Sequence, residues 1–107
     1  MTRHGFVVGV RPEKREEYLE LHRAVWPRVE QAMRENHIRD YSIFIIDDVL
    51  FGTYEYVGED YEADMARIQA DPTSREWWTR TNPCQVAFGT APAGTLWREM
   101  DLAWHMD

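Results

Sequence analysis

Residues 40–57, DYSIFIIDDVLFGTYEYV, decide the predicted fold, because they have the pattern of a β-hairpin. The first half, residues 40–47, is rich in β-branched and aromatic residues and ends at an Asp-Asp pair that suits a turn. Residues 49–57 then resume the apolar pattern as a second strand. The segment IFII at 43–46 has no polar side, so we expect both faces of this strand to be covered.

A strand and a helix are predicted before the hairpin. Residues 5–10, GFVVGV, are typical of a short buried strand. A long helix is predicted from about residue 12 to residue 36, because Pro12 suits a first helical position and Asn36 suits a stop. The apolar residues between them form one stripe at helical spacing. They are Tyr18, Leu21, Val25, Val29 and Met33.

Two more helices are predicted after the hairpin. Residues 59–70 have a mixed polar and apolar pattern that favours a helix. Asp71 is then predicted to cap a second helix, with Pro72 at its first position. Thr73 and Glu76 have the spacing of a capping box, which also indicates a helix start.

The remaining chain completes a ferredoxin-like α+β pattern. Residues 82–95 hold two prolines and two glycines and predict a long loop, and residues 96–106 predict a final strand. The resulting order, βαββαβ, indicates an antiparallel sheet with helices on one face. Because the strands are apolar on both faces, a second subunit packed sheet to sheet would cover the open side. A homodimer is therefore predicted.

The composition is that of one globular domain spanning residues 1–107, with a net charge of −7 and a sequence pI near 5.0. The basic residues are scattered, whereas a nucleic-acid backbone needs a basic patch, so no nucleic-acid partner is expected. The sequence contains no run of about 18 apolar residues, the length needed to cross a membrane. The N-terminus lacks a signal-peptide pattern, so we expect a cytoplasmic protein. The single cysteine, Cys84, cannot form an internal disulfide. The negative net charge favours a neutral small molecule over a polyanion as ligand.

Three residues of the first predicted helix could carry chemistry. Tyr18, His22 and Trp26 lie four residues apart and share one helix face. The ordinary interpretation of such a stripe is core packing, with the histidine satisfied by one hydrogen bond. Two features favour a cavity instead. Polar atoms on an inward face need partners, and Pro27 removes the N–H that would bond to the carbonyl of Arg23. His22 is the best candidate for acid–base work, since its ordinary pKa lies near neutrality.

Further aromatic residues could complete a pocket. Trp77 and Trp78 are adjacent, so on a helix they point about 100 degrees apart, and one can pack while the other flanks a ligand. Tyr41 opens a strand and could place its hydroxyl in the same space. No phosphate-binding glycine loop, metal-ligand spacing or Ser–His–acid order is present, which leaves cofactor-free proton transfer or simple binding. His4 and His37 are weaker candidates for acid–base work than His22. His105, in the last predicted strand, could lie at an interface or point toward the cavity.

Three segments together resemble the L-rhamnose mutarotase family. They are EEYLELHRAVWPRV (16–29), DYSIFIIDDVLFGTYE (40–55) and SREWWTRT (74–81), in the same order and at the same spacing as in that family. The resemblance implies a small dimeric α+β barrel that interconverts the α and β anomers of a 6-deoxy-L-sugar without a cofactor or metal. L-rhamnose is the expected substrate, with L-fucose as an alternative.

The same resemblance implies roles for individual residues. It makes His22 the catalytic proton donor, and it leaves Glu55 as a candidate for orienting the substrate. It also implies a set of sugar-contacting aromatic residues: Tyr18, Tyr41, Trp77 and Trp78.

Two other functions fit the residues. The same fold class includes cofactor-free monooxygenases that act on polycyclic aromatic compounds, and these would need a mostly apolar pocket. A non-catalytic dimer that binds a small ligand would hold the sugar without accelerating anomer exchange. Oxygen uptake, anomer exchange and binding therefore separate the three hypotheses.

Overall fold

One antiparallel sheet organises the computed structural model, which describes residues 1–89 and 95–107. Its strands are β1 (Thr2–Val10), β2 (Ile38–Ile46), β3 (Val49–Tyr56), β4 (Gln85–Val86) and β5 (Arg98–Met100). The order is β2-β3-β1, and both β4 and β5 pair with the remaining edge of β1. This is a ferredoxin-like sheet whose last strand is divided in two, and it confirms the predicted α+β class.

The predicted hairpin forms, and its register explains which side chains face the helices. Strands β2 and β3 pair from Ile46 opposite Val49 at the turn to Ile38 opposite Tyr56 at the far end. Asp47 takes a positive φ of 50° in the turn, a conformation that Asp tolerates better than most residues. A bulge interrupts the ladder between Arg39 and Ser42, close to the site described below.

The prediction of one continuous helix over 12–36 is wrong, because the helix is interrupted between His22 and Pro27. The helices are α1 (Arg15–His22), α2 (Pro27–Glu35), α3 (Tyr61–Ala70) and α4 (Pro72–Thr81), with 3-10 turns at Pro12–Lys14 and Asn82–Cys84. Pro27 lacks a backbone N–H and disfavours helical geometry in the residue before it, so Trp26 is extended, at φ −62° and ψ 131°. All the helices of the described residues are too short or too polar to cross a membrane.

Asp71 joins two helices that line the cavity described below. Its carboxylate caps α4 by accepting the N–H of Ser74 at 2.8 Å, and it also accepts from the guanidinium of Arg28 on α2 at 2.8 Å. The predicted capping box between Thr73 and Glu76 does not form, because Thr73 lies inside the helix rather than before it. The ion pair therefore fixes the distance between α2 and the start of α4.

The core lies between the helices and one face of the sheet. One buried cluster is formed by residues from strands, a helix and a 3-10 turn, namely Val8, Val10, Tyr18, Leu50 and Cys84. A second cluster of Ile38, Tyr54 and Tyr56 packs against α2 and α3. The helices thus cover one face of the sheet, which places the cavity between this face and α2 and α4.

The chain after α4 differs from its prediction. Part of the predicted 82–95 loop is instead the 3-10 turn and strand β4, and residues 90–94 lie outside the described residues. The predicted strand over 96–106 is only three residues long as β5. Residues 101–107 keep the apolar alternation that predicted a strand, but they have no pairing partner within the described chain.

A buried carboxylate fastens α3 to the sheet. Asp64 accepts hydrogen bonds from the Tyr56 hydroxyl and the Arg67 guanidinium, and from His37 Nδ1 at 2.9 Å. These hydrogen bonds, the one from Tyr56 first, outweigh the effect of burial and hold the pKa of Asp64 at about 2. The ionised carboxylate is therefore part of the folded structure.

Replacing Asp64 by Asn should lower the thermal midpoint at pH 7 and weaken its pH dependence. The pKa is depressed in the folded state, so this stabilisation is present above the unfolded value of about 3.9 and is lost as pH falls through about 2. Circular dichroism melts between about pH 5 and pH 2 measure it, with the exposed Asp101→Asn as control. An Asp64→Asn variant with the wild-type slope would show that the carboxylate contributes nothing to acid sensitivity.

Candidate active site

His22 is the last residue of α1, directly before the non-helical segment that separates α1 from α2. Its Nδ1 lies 2.9 Å from the carbonyl oxygen of Tyr18, one turn back on the same helix. A carbonyl oxygen can only accept a hydrogen bond, so Nδ1 carries the proton and Nε2 of the neutral ring holds a lone pair. Within the described chain, no protein group is hydrogen-bonded to Nε2. His22 therefore offers a free acceptor nitrogen.

The surroundings of His22 favour its neutral form. Burial lowers its pKa, and the hydrogen bond to the Tyr18 carbonyl offsets this only in part. The imidazole stacks on the Tyr18 ring with centroids 4.2 Å apart, and it meets the Trp77 indole edge to face at 5.4 Å. The ring is thus held in one orientation and is mainly uncharged at neutral pH.

A cavity of about 330 Å³ opens in front of His22, between α2, α4 and β2. His22, Glu30 and Tyr41 contribute polar groups to its wall. Four aliphatic side chains form another part of the wall, namely Val25, Val29, Met33 and Ile43. Trp77 and Trp78 complete the wall. This mixture of aromatic, aliphatic and a few polar groups is typical of a small-molecule site.

Tyr41 lines the cavity because the bulge in β2 turns it toward the helices. The bulge allows both Ile38 and Tyr41 to face the helices, although an uninterrupted strand would place them on opposite sides. Tyr41 is 40% exposed, but its hydroxyl lies over Gly52, where a Cβ would be 3.7 Å from that oxygen. Burial of the hydroxyl raises the pKa of Tyr41 to about 12, so at neutral pH the resting group is protonated and can donate a hydrogen bond.

Tyr18 lies behind His22 rather than in the cavity wall. It is fully buried, and burial is the main cause that raises the pKa of its phenol. Its ring packs with Val8, Val10 and Leu50 of the strands, which places it on the sheet side of the site. Tyr18 thus orients His22 through both its carbonyl and its ring.

The two adjacent tryptophans have different surroundings. Trp77 is only 5% exposed, and its ring packs edge to face against Trp26 at 5.2 Å. Trp26 in turn lies beneath the guanidinium of Arg80, 5.2 Å from the ring centroid. Trp78 is partly exposed and lines both the His22 cavity and a neighbouring one of about 490 Å³. Trp77 is therefore buried in the packing and also lines the His22 cavity, whereas Trp78 lines both cavities with a more exposed side chain.

Glu55 lies on the opposite face of the sheet from the cavity. Its neighbours Tyr54 and Tyr56 face the helices, so alternation directs Glu55 to the other side, where it pairs with Arg3 on β1. The structure therefore brings five of the six sequence-nominated residues together and separates Glu55 from them. His105 is in the tail after β5, with Nε2 3.4 Å from Asp107, and does not line the cavity in the described chain.

Two site residues were not predicted from the sequence. Glu30 contributes a carboxylate to the cavity wall, and Gly52 lies on β3 where an added Cβ would be 3.4 Å from the Trp97 ring and 3.7 Å from the Tyr41 hydroxyl. The alternation of β3 places Gly52 on the inward side, which was a usable signal. Among the described residues, no group of three or more His, Cys, Asp or Glu side chains could hold a metal ion.

An antiparallel sheet with helices on one face and a cavity between them defines the α+β barrel class, as solved structures confirm. The crystal structure of an L-rhamnose mutarotase from Formosa agariphila superposes with a TM-score of 0.77 at 19% identity, covering 100% of both chains. Tetracenomycin F2 cyclase from Streptomyces glaucescens gives 0.65 at 14% identity, also over 100% of both chains. An antibiotic biosynthesis monooxygenase gives 0.61 at 18% identity, covering 95% of this chain and 99% of that one.

The sequence comparisons assign the family within this class. The model of the L-rhamnose mutarotase family matches residues 3–106. An L-rhamnose mutarotase from Oceanobacillus iheyensis is 28% identical over 100% of both chains, and one from Opitutus terrae is 34% identical over 73% of this chain and 74% of its own. The chain belongs to the L-rhamnose mutarotase family and is thus a carbohydrate isomerase.

Proposed function

We propose that this protein interconverts the α and β anomers of L-rhamnose by acid–base catalysis without a cofactor. The observation that carries the proposal is the oriented, mainly neutral His22, whose free Nε2 adjoins a cavity with tryptophan and tyrosine walls. Relatives with the name L-rhamnose mutarotase cover most or all of this chain, which supports the choice of sugar.

The proposed reaction begins with His22 as a base. Its Nε2 takes the proton of the anomeric hydroxyl as the bond between C1 and the ring oxygen breaks, and the Tyr41 hydroxyl gives a proton to that oxygen. The open aldehyde rotates about C1–C2. In closure the ring oxygen returns its proton to Tyr41 and attacks the other carbonyl face, while His22 donates its proton to O1. His22 is thus the donor in closure, and a group positioned in this way contributes about 10²–10⁴-fold.

The cavity walls support a 6-deoxy sugar as substrate. The C–H face of a pyranose ring can stack on the partly exposed Trp78. The methyl group of a 6-deoxy sugar can lie against Val25, Val29 and Met33, where the hydroxyl of a hydroxymethyl group would lose its hydrogen bonds to water. L-fucose carries the same methyl group and remains the alternative substrate.

Anomer exchange across a panel of sugars tests the proposal. Saturation-transfer NMR on L-rhamnose, L-fucose, D-glucose and D-ribose should show the largest acceleration for L-rhamnose or L-fucose. A larger acceleration for D-glucose would contradict the proposed role of the aliphatic wall. Oxygen consumption with an aromatic polyketide would instead favour the monooxygenase hypothesis, and binding without exchange would favour a non-catalytic ligand-binding protein.

We also propose that the protein is a homodimer that pairs through the open face of its sheet. The helices pack on one face, while Phe44 and Ile46 on the other are each 62% exposed. The tail also exposes apolar side chains, with Trp104 being 76% exposed. Such a surface is typical of an interface, and a sheet face that meets a second copy of itself forms a closed pair.

Replacing Ile46 by Glu should convert the dimer to a monomer. A charge placed on a buried sheet face has no partner, so association would be strongly disfavoured. Size-exclusion chromatography with light scattering at micromolar concentration measures the mass. Val57→Glu is the matched control, since Val57 is exposed but lies outside the strands. A wild-type monomer, or equal masses for both variants, would contradict the proposed interface.

A further inference from the structure

Glu30 is a carboxylate in the cavity wall that has no protein partner in the described chain. It lies in the first turn of α2 and lines the His22 cavity together with Tyr41. It also lines a smaller adjoining cavity of about 140 Å³ near the surface, so it stands at the mouth of the site. Glu35, on the same helix, is paired with Arg28, whereas Glu30 forms no ion pair or side-chain hydrogen bond with any described residue.

The hydrogen-bonding inventory of the cavity shows what Glu30 could supply. Each sugar hydroxyl has one hydrogen to donate, so a bound sugar needs acceptors around it. The indole N–H of Trp78 can only donate, and the protonated Tyr41 hydroxyl is a neutral group that both donates and accepts. Among the described side chains that line this cavity, the Glu30 carboxylate is therefore the charged acceptor, and His22 Nε2 is a neutral one. Hydrogen bonds to an ionised acceptor are about twice as strong as those between neutral groups.

We propose that Glu30 is a substrate-binding residue, whose carboxylate accepts hydrogen bonds from sugar hydroxyl groups at the mouth of the His22 cavity. This inference rests on the proposed function, because it assumes that the ligand is a neutral sugar with several hydroxyl groups. It assigns Glu30 to binding and leaves proton transfer to His22. An unpaired carboxylate there also disfavours sugar phosphates and sugar acids, which carry the same charge.

The effect of Glu30→Ala on KM tests the assignment. KM for L-rhamnose should rise roughly tenfold, as expected for the loss of a charged hydrogen bond, with kcat changed by less than about twofold. Glu30→Gln keeps a neutral acceptor and should give an intermediate KM. Glu62→Ala is the control, since Glu62 is also exposed in the first turn of a helix but lines none of these cavities. Unchanged circular dichroism melts would exclude misfolding, which is not expected at an exposed position.

Binding measured apart from turnover separates this inference from the proposed function. Titrating tryptophan fluorescence with L-rhamnose gives a dissociation constant for wild type and variants, whether or not exchange occurs. If wild type binds the sugar without exchanging it, the proposed function fails, and the ratio of dissociation constants still decides the role of Glu30. A Glu30→Ala variant with wild-type KM and affinity, a loss confined to kcat, or a wild type that binds no sugar would overturn the assignment.

Discussion

Replacing His22 by Gln is expected to slow L-rhamnose anomer exchange by about 10²–10⁴-fold, while the fold and sugar binding remain. Glutamine can occupy a similar volume but cannot take up and return a proton near neutral pH. The Tyr18 carbonyl and the Trp77 edge, which hold the imidazole, belong to elements that do not depend on it. The loss should therefore appear in kcat rather than in KM.

Saturation-transfer NMR on L-rhamnose measures this loss, with His105→Gln as control because His105 lies in the exposed tail. The wild-type pH profile gives a second measure. Burial lowers the pKa of His22, so the neutral imidazole should persist, and activity should fall only below the ordinary histidine value of about 6.5. Wild-type exchange in the His22→Gln variant, or an equal loss in His105→Gln, would show that another group performs the proton transfer.

Replacing Trp77 by Ala is expected to destabilise the fold by about 3–5 kcal/mol, whereas Trp78→Ala should mainly weaken sugar binding. Trp77 is buried against His22 and Trp26, so its removal leaves a cavity in the packing behind the site. Domains are stable by only about 5–15 kcal/mol, so this loss is a large part of the total. Trp78 is partly exposed in the cavity wall, and its removal exposes little core.

Urea unfolding separates the two tryptophans, and it is done at one fixed protein concentration because the apparent stability of the proposed dimer would depend on concentration. We expect a much lower midpoint for Trp77→Ala and a midpoint near that of wild type for Trp78→Ala. KM for L-rhamnose should rise in the Trp78 variant through the loss of ring stacking. Equal midpoints, or a Trp78→Ala variant with unchanged KM, would contradict this division between packing and binding.

The hairpin could be predicted from the sequence because its information is local. Strand alternation and the Asp47-Asp48 break are contained within residues 40–57, and the pairing follows from them. The break between α1 and α2 was harder to predict. Pro27 indicated a disturbance, but a proline can kink a helix or end it, and only packing against the sheet and α4 decides between these.

Only those parts of the candidate site that follow from helical periodicity or from the family resemblance could be predicted. Spacing along α1 places His22 beside Tyr18, as the stacking of their rings confirms. Glu55 was nominated by resemblance, although strand alternation between Tyr54 and Tyr56 would have directed it outward. Glu30 could not be predicted, because its position in the cavity wall depends on the break before α2 and therefore on tertiary structure.

The anomer exchange rate of L-rhamnose with catalytic amounts of wild-type protein tests the central claim most directly. Saturation of the α-anomeric proton resonance at neutral pH should transfer to the β-anomeric resonance in proportion to protein concentration. We predict a rate well above that of spontaneous mutarotation, without added metal or cofactor. A rate equal to the spontaneous one, with folded protein confirmed by circular dichroism, would contradict the proposed function.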